Sequence, residues 1–143
     1  MEECPKLCFY SNFIFLTNVV IAIYYKYYAY AAVFMFLTMS SLYHHSHYTE
    51  VTRIVDKVAV YLVAFYGGYL FYSKLRNHTE PMTTKQMTLS FLILFTFLST
   101  ILLYYYGYMT NSFCYCEDSS TAEYFHAFMH CVGSVGHLCI AVL

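Results

Sequence analysis

Gln86–Cys116, QMTLSFLILFTFLSTILLYYYGYMTNSFCYC, runs for 31 residues between Lys85 and Glu117 without a charge. A helix rises 1.5 Å per residue, so about 20 apolar residues cross the hydrocarbon core of a bilayer. The run is long enough to cross once and then turn at Thr110-Asn111-Ser112. The same ruler applied outward finds further charge-free stretches. There are 19 residues between Lys6 and Lys26, 23 between Lys26 and Glu50 with histidine counted neutral, 16 between Lys57 and Lys74, and 20 after Glu123. The pattern predicts an all-α, multi-pass transmembrane bundle of about five helices in one domain spanning residues 1–143. The helices fall near 8–25, 27–45, 55–73, 86–108 and 121–142. The third is short unless Asp56 and Lys57 begin it.

Composition agrees. Hydrophobic residues make up 60% of the 143 and charged residues 10%, with a mean hydropathy of +0.51. Roughly a quarter of an ordinary soluble domain is charged, so seven Lys+Arg and eight Asp+Glu cannot coat a soluble globule of this size. An aromatic content of 22% excludes a disordered chain. A net charge of -1 argues against a nucleic-acid surface.

Turn signals punctuate the apolar runs. Glu80-Pro81 lies in the polar stretch 73–85, and Glu117-Asp118-Ser119-Ser120 precedes the last run. Ser120 or Thr121 is expected to cap the last helix, with Glu123 in its first turn, where the helix dipole favours an acid. The tight junction at Lys26 is flanked by Tyr24, Tyr25, Tyr27, Tyr28 and Tyr30, the residues of an aromatic belt at lipid headgroups. The acidic start Met1-Glu2-Glu3 is unlike a cleaved signal peptide, which is basic there. Five crossings place Lys6, Arg53 and Lys57 on the side of the N-terminus and Lys26, Lys74, Arg76 and Lys85 on the other, a balance that sets no orientation. Cys4, Cys8, Cys114 and Cys116 share the first side, open to a disulfide in an oxidising compartment or to free thiols in a reducing one. Asn77-His78-Thr79 on the opposite side is a glycosylation acceptor pattern.

Ionisable groups inside apolar helices are costly and point to function. Three clusters stand out: Ser40-Ser41-Leu42-Tyr43-His44-His45 ending the second helix, Arg53-Ile54-Val55-Asp56 starting the third, and His126-Ala127-Phe128-Met129-His130 in the first turns of the fifth. The crossing count alone puts all three at one depth. His126 and His130, four apart, project from one helical face, as do Ser40 with His44 and Ser41 with His45. Three imidazoles from two helices suit Zn²⁺ with a fourth position left for water, whose pKa the metal lowers toward about 7. Asp56 would deprotonate or orient that water, or hold a histidine tautomer. A serine hydroxyl, Ser40 or Ser41, would donate to the oxyanion formed when a carbonyl is attacked. Plainer readings stand beside these. His44, His45 and His47 are then interfacial side chains at a helix end, His126 and His130 are interhelical hydrogen-bond partners, and Asp56 is a helix-start charge paired with Arg53 or Lys57. His137 is read as packing and His78 as a loop residue.

Ser-x-x-x-His, then Asp at the start of the next helix, then His-x-x-x-His in the last helix resembles the pattern of the CREST superfamily. That group holds the alkaline ceramidases, the progestin and adipoQ receptors and the hemolysin III proteins. Ser40-Ser41-Leu42-Tyr43-His44, Arg53-Ile54-Val55-Asp56 and Tyr124–His130 with Gly133-Ser134 resemble hemolysin III, whereas Ser41, His45 and the spacing from His45 to Asp56 fit the ceramidases. The resemblance implies zinc on His126, His130 and one of His44 or His45, with a lean to the Ser40/His44 register. It implies hydrolysis of an amide or ester in a membrane lipid taken from within the bilayer. The superfamily has seven helices, so five make a reduced version whose pocket a partner protein or a second copy would complete. Two other functions compete: a non-enzymatic membrane protein, receptor-like or hemolysin III-like, that keeps the metal as a structural staple, and a metal-free accessory or channel-like protein.

Overall fold

Every regular element in the computed structural model, which describes residues 6–143, is helical. The signal-peptide reading of Met1-Glu2-Glu3, and Cys4, lie outside the described residues. The first expected helix arrives in three pieces: α1 (Lys6–Ser11), a 3-10 turn at Asn12–Ile14, and α2 (Phe15–Tyr24). Then come α3 (Tyr28–His47), α4 (Glu50–Arg76) and α5 (Thr84–Ile101). A π turn at Leu102–Tyr106 leads into α6 (Gly107–Thr110), a 3-10 turn at Phe113–Tyr115, and α7 (Ser119–Val142).

Among the described residues four segments are long and apolar enough to cross a membrane: Leu7–Tyr24, Glu50–Arg76, Thr84–Tyr115 and Ser119–Val142. The five expected helices are present, and α3 is the one that falls outside these four. At 20 residues it has the length, but three serines and three histidines crowd Ser40–His47 and lower its hydropathy. Half of these six polar groups are turned inward: Ser40, Ser41 and His45 are buried, as is Thr38 just before them.

The helix ends explain the remaining shifts. Helix α4 starts well ahead of residue 55 because Thr49 and Thr52 form a reciprocal capping box. The Thr49 hydroxyl accepts from Thr52 N at 3.2 Å, and Thr52 Oγ1 accepts from Thr49 N at 3.1 Å. Asp56 is therefore almost two turns inside the helix and is not a helix-start charge. Arg53 pairs instead with Glu50, one turn back. The cap of α7 is Asp118, whose carboxylate accepts from Thr121 N at 2.7 Å, rather than Ser120 or Thr121. Glu123 serves the start of a different helix. Its Oε1 accepts from Leu7 N at 2.6 Å and Cys8 N at 3.3 Å, so the acid of α7 satisfies the exposed donors of α1. At the tight junction Lys26 takes a left-handed φ of 63°, and Tyr27 N returns to Ala22 O at 2.8 Å, closing α2 as a Schellman motif usually does with glycine.

The helices pack in the order α4, α3, α2, α7, α5, with α1 against the start of α7. Phe15, Val19, Ala22, Tyr30, Phe34, Ala59 and Val63 fill the space between α2, α3 and α4, while Ile93, Cys139 and Ile140 join α5 to α7. Asn18 and Ser134 lock α2 to α7: the serine hydroxyl donates to Asn18 Oδ1 at 2.5 Å, and Asn18 Nδ2 donates to Ser134 O at 3.0 Å. Among the described residues α4 and α5 make no close backbone approach. A hydroxyl pair, Tyr61 with Tyr105 at 2.9 Å, bridges this seam. Cys8, Cys114, Cys116, Cys131 and Cys139 are free thiols.

Mid-bundle contact between α3, α4 and α7 depends on Gly67. A Cβ there would lie 2.7 Å from the His137 ring and 2.9 Å from the Tyr30 hydroxyl, which are themselves hydrogen-bonded. Gly68 faces open space. Gly67→Ala is expected to destabilise the fold by about 1–3 kcal/mol, since neither ring can move aside cheaply. Gly68→Ala should stabilise it by about 0.5–1 kcal/mol through the backbone alone. Thermal unfolding of the two variants checks both signs.

Candidate metal centre

Helices α1 and α7 both start at the end of the bundle where α3 finishes and α4 begins. The ties between Glu123 and α1 mark that end; Lys74 Nζ, donating to Ile140 O at 2.8 Å and Ala141 O at 3.0 Å, marks the other. One turn beyond Glu123, the ligand atoms of His45, His126 and His130 all lie within 4.8 Å of one another. The ring centroids are 5.3 Å apart for His45 and His126, 5.9 Å for His45 and His130, and 4.9 Å for His126 and His130. His45 and His130 are buried, 3% and 7% exposed.

The choice between the two registers of α3 is made by helix rotation. Phe34, Thr38, Ser41 and His45 follow one another at three- and four-residue steps along the face turned to α7, and each is buried. His44 is rotated by 100° toward α4, where its Nδ1 meets Thr52 Oγ1 at 3.0 Å. The lean to Ser40 and His44 is thus corrected: His45 joins the trio, and Ser40 Oγ donates to its own helix at Leu37 O, 3.1 Å away. Ser41 is the serine beside the Asp56 carboxyl, and His44, whose ring centroid is 5.2 Å from that of His45, lies near Asp56 and His126. Asp56 Oδ1 is buried and has no hydrogen-bond partner among the described residues.

Three imidazoles converging in a buried site match the donors of a divalent-metal centre with open positions. The unpartnered oxygen of Asp56 adds a local acceptor, which a buried carboxyl rarely leaves unused. The residues present fit a metal ion on these grounds. Two groups absent from the sequence pattern also touch the trio. Ser11 Oγ lies 2.8 Å from His130 Nδ1, and the Tyr48 hydroxyl lies 3.2 Å from His45 Nδ1. Ser11 is one of several polar residues in a mostly apolar run, and no spacing rule links it to a position 119 residues later.

The other histidines stay apart. His137 donates to or accepts from the Tyr30 hydroxyl. His47 stacks on Tyr43, and His78 bonds Gln86 Nε2 at 2.8 Å in the loop before α5. Comparison with protein-family models, curated proteins and solved structures finds no match to this chain.

Proposed function

We propose that the chain is a multi-pass integral membrane protein that works as a zinc-dependent hydrolase of a lipid amide or ester, ceramidase-like and of the CREST type. The membrane reading is supported by an inversion of the usual polarity. Val55, Val58, Leu62 and Phe65 on α4 and Phe91, Leu94, Phe95 and Leu98 on α5 are exposed, while Asn12, Asn18, Ser41, His45, His130 and Ser134 are buried. Burying amides, hydroxyls and imidazoles while leaving aliphatic faces open is unfavourable in water and natural in lipid.

The observation that carries the enzymatic reading is the convergence of His45, His126 and His130, with a buried carboxyl oxygen on α4, Asp56 Oδ1, that has no hydrogen-bond partner among the described residues and lies beside Ser41 and His44. His45, His126 and His130 would hold the ion. When bound, zinc polarises an acyl carbonyl and makes water a nucleophile near neutral pH. Asp56 Oδ1 takes the proton of the attacking water and returns it to the leaving amine or alcohol. The Ser41 hydroxyl, beside it, donates to the oxygen on which negative charge develops. The seam between α4 and α5 leaves the flank of α4 open to an acyl chain arriving from the side. That same opening favours the second reading, a metal that staples α3 to α7 in a receptor-like or hemolysin III-like protein, because a lipid pocket there lacks a wall of its own.

The test is release of fatty acid from lipid amides and esters presented in mixed micelles to the purified, zinc-loaded protein. Turnover is expected for at least one class, abolished by a chelator and restored by Zn²⁺. Full zinc occupancy with no release from either class supports the staple.

A further inference from the structure

We infer that Ser11 is a positioning residue that fixes the tautomer of His130 and presents its Nε2 to the metal centre. This inference rests on the reading of His45, His126 and His130 as metal ligands. The Ser11 hydroxyl makes two contacts, with Cys8 O at 2.9 Å and with His130 Nδ1 at 2.8 Å. A hydroxyl has one proton, and a carbonyl oxygen has none to give. The proton must therefore lie on the line to Cys8 O. The hydroxyl oxygen then faces Nδ1 with a lone pair, and Nδ1 must carry the hydrogen that it accepts. A neutral imidazole protonated at Nδ1 has its free pair on Nε2, the form a metal requires.

The surroundings hold this arrangement in place. Cys8 O also accepts from Asn12 Nδ2 at 2.9 Å, and Cys8 N is held by Glu123 Oε1. The first turn of α1 is thereby tied to α7 one turn before His126. Phe15 packs against the His130 ring at 5.3 Å between centroids, limiting its rotation. His45 carries the same kind of contact, a hydroxyl at Nδ1, from Tyr48. Two of the three proposed ligands are thus oriented from behind by hydroxyls. On the far side of Ser11 a groove of about 240 Å³, lined by Leu7, Tyr124, Phe128 and Cys131, leaves room for one additional methyl group.

The experiment compares the full chain in detergent micelles with Ser11→Ala and Ser11→Thr, using Co²⁺ as the probe. Co²⁺ affinity, followed by its visible absorption, is expected to fall about 10–100-fold in Ser11→Ala, the range typical of losing an outer hydrogen-bond partner, and to recover in Ser11→Thr. In the metal-free protein, ¹⁵N spectra of the histidine rings should show His130 protonated at Nδ1 in the wild type and Ser11→Thr, and a tautomer mixture in Ser11→Ala. Unchanged affinity and tautomer in Ser11→Ala, with only a lowered melting temperature, would make Ser11 a packing residue and overturn the inference. A wild type that binds no Co²⁺ removes the centre itself, a failure separate from that of Ser11.

Discussion

His130→Ala is expected to take the zinc content of the purified chain from one ion to nearly none. Structural zinc sites bind with about 10–16 kcal/mol, so one of four coordination positions carries about 2.5–4 kcal/mol, a loss of roughly 10²- to 10³-fold in affinity. The matched control is His137→Ala, on the same helix seven residues on. His137 also faces inward and also bonds a hydroxyl from another helix, that of Tyr30, but it lies outside the group of convergent ligands. It should cost stability and leave zinc untouched. Metal analysis after size-exclusion chromatography, together with unfolding curves, separates the two effects. Equal zinc in wild type, His130→Ala and His137→Ala would return His126 and His130 to the role of interhelical packing groups.

The parts of this molecule legible in its sequence are those set by length and spacing. Charges bound the apolar runs, and each run is long enough to need a helix of its own, although α4 itself starts ahead of its run and passes through Arg53, Asp56 and Lys57. The helix count and the shared end of the three polar clusters followed. A spacing of four from His126 to His130 is enough to put both rings on one face wherever α7 lies. What could not be read was rotation. His44 and His45 are neighbours, and each has a serine four residues before it; only the packing of α3 against α2 and α4 turns His45 inward and leaves His44 to Thr52. Helix starts were blurred for a related reason. Thr49 and Thr52 cap each other with hydroxyls that a hydropathy ruler does not register, so α4 gains a turn and Asp56 moves from the helix start into the bundle. Ser11 and Glu123 were illegible in their actual roles, because each acts on a partner more than a hundred residues away.

Asp56→Asn decides between the enzyme and the staple. The substitution keeps the shape of the side chain while removing its charge and its ability to take up a proton. In a hydrolase that uses Asp56 Oδ1 as its base, turnover of the lipid amide or ester should fall about 10²- to 10⁴-fold, the usual contribution of a positioned general base. Zinc content should hold near one ion per chain, since Asp56 is not among the convergent ligands. In a staple, Asp56 has no proton to move, and the substitution alters only stability. The direction of that change is informative. A buried carboxylate oxygen without a partner is a cost to the fold, so the neutral amide, with Ser41 beside it, should leave the melting temperature unchanged or raise it. An enzyme that retains such a cost does so because the group has work to do in the reaction. Turnover undiminished in Asp56→Asn would place the proton-transfer step elsewhere and end the role assigned to this residue. Lost turnover combined with lost zinc would instead make Asp56 a support of the metal.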